Sequence, residues 1–92
     1  MAKHETTIES GVTRIVRELL AAHAIHRPLA PDDDLRAAGL TSLDLVNLVL
    51  AVEAEFDLSI PMDAITPANF RNVASIEALL VALAADASAA AA

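Results

Sequence analysis

Ninety-two residues are enough for one compact domain and leave no room for a second. Thirteen acids against six bases give a net charge of −7, which repels nucleic-acid phosphates and anionic membranes, and the lack of Trp and Tyr removes a base-stacking surface. There is no cysteine, so a disulfide framework and thiolate metal sites are excluded, and any thiol chemistry must use a sulfur brought in from outside the chain.

The hydrophobic fraction of 55 % overstates the core, because 21 of the residues are Ala. The opening Met1-Ala2-Lys3-His4-Glu5 lacks the apolar run of a secretory signal. The longest apolar stretch, residues 78–85, is far short of the roughly 20 residues a membrane span requires. A soluble, cytoplasmic, monomeric domain is expected, with an N-terminal arm over residues 1–5, a folded unit over 6–85 and a flexible tail over 86–92.

The first predicted helix runs over residues 7–23, where Ile8, Val12, Ile15, Val16, Leu19 and Leu20 recur at three- and four-residue spacing. Thr6 and Glu9 can form a capping box at its start, and Gly11 weakens its first turns by about 1 kcal/mol relative to Ala. A long connection follows over residues 24–40, broken by Pro28, Pro31 and Gly39. Leu29, Leu35 and Leu40 are expected to pin it to the core, and Asp34 to cap a short helical turn through Ala38. His23 and His26 have the spacing of two metal ligands on one helix, but Pro28 follows closely and no third ligand is evident, so they read as a solvated helix end. Asp32-Asp33-Asp34 does not continue into a calcium-loop pattern and reads as a turn.

The second helix should begin at Thr41 or Ser42 and end near Phe56, with Thr41 and Asp44 spaced as a capping box. Leu45, Leu48, Val49, Val52 and Phe56 make its buried face. Leu43, Val46, Asn47, Leu50 and Glu53 lie on another face, more apolar width than one core stripe needs, so this helix sits centrally or meets a partner. After a loop over residues 57–65, Thr66-Pro67 signals a short helix over 67–71. Asn72 can cap a final helix whose inward stripe is Val73, Ile76, Leu79, Leu80 and Leu83. The elements add up to an all-α, small four-helix bundle: three longer helices, one short one and a long first loop.

The segment Asp34-Leu35-Arg36-Ala37-Ala38-Gly39-Leu40-Thr41-Ser42-Leu43-Asp44-Leu45-Val46 resembles the attachment signature of acyl and peptidyl carrier proteins. The run Glu53-Ala54-Glu55-Phe56-Asp57-Leu58-Ser59-Ile60-Pro61 is similar to the family's helix end and exit loop. The resemblance implies a four-helix bundle whose Ser42 receives a covalent 4′-phosphopantetheine from coenzyme A, by the action of a phosphopantetheinyl transferase. It further implies a cargo held on the terminal thiol as a thioester, a cargo-loading ligase or synthetase, and a downstream acceptor enzyme. The resemblance also makes the helix after Ser42 the docking element, with Leu43, Asp44, Val46, Asn47, Leu50 and Glu53 as its partner-binding residues.

The position of Ser42 is physically sensible, because a helix N-terminus favours an anion and no His or Lys beside it in sequence would activate the hydroxyl. The chain is therefore expected not to be an enzyme. Many members of the family have Asp before the Ser, where this chain has Thr41, and Asn47 and Ala54 stand where acids are frequent. The likeness thus leans toward an aminoacyl carrier loaded by an adenylating ligase. A type II fatty-acid or polyketide acyl carrier is the alternative, and an unmodified helical interaction module is another.

Overall fold

The computed structural model describes the backbone of residues 3–91 and the side chains of residues 11–85. Helix α1 spans Lys3–Ala22, α2 Leu35–Ala38, α3 Ser42–Phe56 and α4 Val73–Ala91, with one 3-10 turn at Met62–Ala64. No strand occurs among the described residues, and the fold is the expected all-α one of three longer helices and one short one, the short one being Leu35–Ala38 and not the segment 67–71.

Helix α1 is the centre of the packing, lying against both α3 and α4. Its buried stripe of Val12, Ile15, Val16 and Leu20 meets Leu48, Val49 and Val52 of α3 and Val73, Ile76 and Leu80 of α4 in one core. Each such side chain, fully withdrawn from water, contributes about 1.5–3 kcal/mol. Phe56 packs at the edge of this core over Gly11, where a Cβ would come within 2.6 Å of the ring Cζ. Gly11 therefore makes room for an aromatic ring, a role the sequence alone did not reveal. Arg14 adds a polar tie across the same pair of helices through Glu55.

The long first connection is held at both of its ends. Ala24 ends α1 in the left-handed region (φ 59°), and the Ile25 N–H turns back to the Leu20 carbonyl at 2.9 Å. Further on, the Leu35 N–H donates to the Arg71 carbonyl and the Ala74 N–H to the Pro31 carbonyl, each at 2.9 Å. These bonds, with fully buried Leu35 and nearly buried Leu40, order a segment too long to stand as free loop. Helix α4 opens with Asn72 as its cap, the Ser75 N–H donating to Asn72 Oδ1 at 2.7 Å.

Three boundaries differ from expectation. Helix α1 begins at Lys3, so Thr6 and Glu9 lie inside it and are not its capping box, and the arm expected over residues 1–5 is mostly helix. No Gly or Pro precedes Thr6 to stop the helix from extending that way. Met1, Ala2 and Ala92 lie outside the described residues. Helix α4 runs through the alanine tail to Ala91, since Ala is the best helix former and propagation from a packed helix needs no new nucleus. The short helix expected over 67–71 is one turn only. Thr66 does cap it, accepting the Asn69 N–H at 3.1 Å, but a single bond of helical type closes, from Phe70 N–H to the Thr66 carbonyl. Phe70, 3 % exposed, anchors that turn to the core.

Candidate functional site

The start of α3 is built by the turn that precedes it. Asp34 Oδ1 accepts the N–H groups of Arg36 and Ala37, which caps the four-residue helix α2. Gly39 then ends α2 with φ at 128°, a conformation that residues with a Cβ rarely adopt. Its N–H and that of Leu40 return to carbonyls of α2, and Leu40 inserts into the core. The chain is thereby re-aimed, so that extended Thr41 becomes the N-cap and Ser42 the first residue of α3.

Thr41 and Asp44 form the reciprocal capping box that their spacing predicts. The Asp44 N–H donates to Thr41 Oγ1 at 3.2 Å, and the Thr41 N–H donates to Asp44 Oδ2 at 2.8 Å. Ser42 is exposed, and its hydroxyl engages no other side chain or backbone group among the described residues. The N–H groups of Ser42 and Leu43, at the positive end of a 15-residue helix, likewise find no protein acceptor among them.

Asp44 does more than cap. The same Oδ2 receives the Thr41 hydroxyl at 2.9 Å and His23 Nε2 at 2.8 Å, from the far end of α1. The Thr41 N–H, ahead of the Thr41 hydroxyl and His23, holds this carboxyl below the usual carboxylate range, against the opposing effect of burial. Asp44 is only 9 % exposed, so its carboxylate is turned into the structure and not toward a partner as expected. Nor is His23 merely a solvated helix end. It links α1 to the first turn of α3, and no cluster of potential metal ligands occurs among the described residues.

Glu53 also has an internal task. Half-buried, it accepts the Ile60 N–H at 2.7 Å and so fastens the exit loop to the last turns of α3. The other residues expected on the outer face are there. Leu43, Val46 and Leu50 are 69, 55 and 58 % exposed, and Asn47 is exposed among them. For aliphatic side chains this is a marked departure from their usual burial, and it forms a continuous stripe at helical spacing beginning next to Ser42.

On its other flank Ser42 borders an open groove of about 610 Å³ between α3 and residues 65–71. Leu45, Val46, Val49, Ile65 and Phe70 supply its apolar wall, and Arg36 and Arg71 stand at the rim. Neither arginine was singled out by sequence reasoning, because contacts between segments distant in the chain, such as the Leu35–Arg71 backbone bond, bring them together. An exposed hydroxyl, free helix-terminal N–H groups and an adjoining groove with cationic edges fit a phosphodiester-linked arm.

The sequence matches the family described as "Phosphopantetheine attachment site" over residues 10–80. Aminoacyl carrier protein 1 of Bradyrhizobium diazoefficiens is 38 % identical over 81 residues, covering 88 % of this chain and 90 % of that protein. Aminoacyl carrier protein 2 of the same organism is 41 % identical over 80 residues, covering 85 % and 90 %. Among solved structures, the fold matches a glycylated carrier protein in complex with the Bradyrhizobium japonicum glycine:[carrier protein] ligase. The TM-score is 0.73 at 39 % identity, and the match covers 78 % of this chain and 96 % of that one.

Proposed function

Because the chain belongs to the phosphopantetheine-attachment family, we propose that it is a stand-alone carrier protein whose Ser42 bears the 4′-phosphopantetheine and whose cargo is an aminoacyl group. The observation that carries the reading is the placement of Ser42: exposed, first in α3, and fixed from both sides by Gly39 and the Thr41–Asp44 box. When bound, the group supplies a flexible arm ending in a thiol that holds an acyl or aminoacyl group as a thioester.

The residues around Ser42 orient and expose it. Activation of its hydroxyl falls to a separate phosphopantetheinyl transferase, and the chain carries the group without acting on it. Leu43, Val46, Asn47 and Leu50 form the surface on which the transferase, the ligase and an acceptor enzyme dock in turn. An aminoacyl cargo is supported over a fatty acyl one by relatives named as aminoacyl carriers, and a ligase partner by the carrier–ligase complex among the solved structures. The location we infer is the cytoplasm, where coenzyme A and adenylating ligases are at hand; among the described residues no helix is long and apolar enough to cross a membrane.

Incubation with coenzyme A, magnesium and a broad-specificity transferase should add one phosphopantetheine by intact mass, and Ser42→Ala should add none. The modified protein, given ATP and an aminoacyl-adenylating ligase, should then gain the mass of one amino acid less one water, released by hydroxylamine. Addition to Ser42→Ala would remove the assigned site, and loading by an acyl-adenylating enzyme alone would remove the aminoacyl cargo.

A further inference from the structure

We propose that Arg36 and Arg71 form a cationic clamp that holds the phosphodiester on Ser42 and lays the arm along the groove beside α3. The inference rests on Ser42 being the attachment point. The chain has six Lys and Arg residues against thirteen acids, yet two of the six line the groove that Ser42 borders, with Asp34 as the only carboxylate among that groove's lining residues. The site is therefore locally positive on a strongly acidic protein.

Their placement is built in. The Leu35 N–H donates to the Arg71 carbonyl at 2.9 Å, which sets the residue after Leu35 and the residue before Asn72 on the same rim. Arg71 is engaged only loosely: its Nε stands 3.7 Å from Asp34 Oδ2, and the side chain is 70 % exposed. Asp34 meanwhile commits its other oxygen, Oδ1, to the N–H groups of Arg36 and Ala37. Arg36 has no carboxylate within ion-pair distance among the described residues.

A guanidinium matches a phosphate with two parallel N–H donors, a geometry that one distant carboxylate oxygen does not offer. A phosphodiester on Ser42 thus competes well with Asp34 for Arg71 and gives Arg36 a partner. The free N–H groups at the start of α3 face the same anion. With the phosphate held at the rim, Leu45, Val46, Val49 and Ile65 would offer the arm the apolar wall of the same groove.

The test uses the protein with and without its natural arm. Intact mass first establishes one phosphopantetheine on Ser42 in the parent and in the Arg36→Gln/Arg71→Gln double variant, each loaded to completion. The Arg71 Nε–H resonance, followed by 15N NMR, should move between the apo and holo parent. The 31P relaxation of the phosphodiester should show the ratio of held to free arm falling about two- to five-fold in the double variant, the range an exposed ion pair supports. Asp34→Asn, which keeps a capping oxygen but frees Arg71 of its countercharge, should move the ratio the other way. A modified chain whose 31P relaxation is the same in parent and double variant overturns the clamp alone. A chain that gains no mass, or gains it away from Ser42, removes both the clamp and the carrier reading.

Discussion

Substituting Gly39 by Ala probes the turn on which the placement of Ser42 depends. At φ 128° and ψ 0° a side chain is strained, at a cost on the order of 1–3 kcal/mol. The new Cβ also runs into Ile25 Cδ1, the end of a half-buried and flexible side chain, and swinging that methyl off its rotamer adds about 0.5–1.5 kcal/mol. Against these stands a gain of about 0.4–1 kcal/mol, because Ala restricts the unfolded chain more than Gly does. The net expectation is a loss on the order of 2 kcal/mol, read in urea unfolding by circular dichroism as a midpoint lower by about 1 M at unchanged slope. The steric part can be separated from the backbone part with Ile25→Val, which lacks Cδ1. Alone it should cost about 0.5–1.5 kcal/mol, and in the Gly39→Ala background distinctly less, because the atom removed is the one in collision. Strict additivity would eliminate the collision, and a Gly39→Ala midpoint equal to that of the parent would refute the whole argument.

Two further outcomes follow from how α3 is used. Leu50→Asp should leave helicity and the unfolding midpoint nearly unchanged, since the side chain is 58 % exposed, yet lower kcat/KM for ligase loading about ten-fold by losing an apolar anchor. Leu48→Asp, at a fully buried position, should unfold the protein; lost helicity in the Leu50 variant, or loading at the parental rate, would place Leu50 elsewhere than on the docking face. The Asp44 carboxyl is held below its ordinary value of 3.8, so its stabilising effect is complete above that value and disappears as pH falls through the lower folded-state value. The stability gap between the parent and Asp44→Asn should narrow as pH falls from about 5 into stronger acid, and a gap as wide in strong acid as at about pH 5 would contradict the capping role.

What could be read in the sequence was what depends on near neighbours. Thr41 and Asp44 stand three residues apart and form the box their spacing implies, and Asn72 caps α4 as its residue type and place before the apolar run imply. The apolar stripes of α1, α3 and α4 follow helical periodicity and face the core, fully buried at their centres and partly buried at Leu19, Leu45, Phe56, Leu79 and Leu83, while the Ile8 side chain lies outside the described residues. The bond between His23 and Asp44 joins residues 21 apart and gave no local signal, because it depends on how the first connection folds back. Arg36 and Arg71 come to one rim for the same reason. The Thr66-Pro67 signal was read correctly as a cap but wrongly as a helix, since capping chemistry does not supply the apolar periodicity that carries a helix beyond one turn.

The two acids expected on the outer face of α3 show what that face is made of. Asp44 is the third residue of α3, and a carboxylate there can close the capping box only by bending back over the helix end, which takes it away from the outer surface. Glu53 lies near the other end and spends its carboxylate on the Ile60 N–H. Each acid fixes one end of α3, and between them the outward stripe is left to Leu43, Val46, Asn47 and Leu50. A helix tethered at both ends keeps Ser42 and that stripe in constant relation, as the proposed carrier role requires if each partner is to find Ser42 from the same surface. The negative charge that dominates the composition therefore contributes, at this helix, to rigidity, and the outward stripe itself is mainly aliphatic.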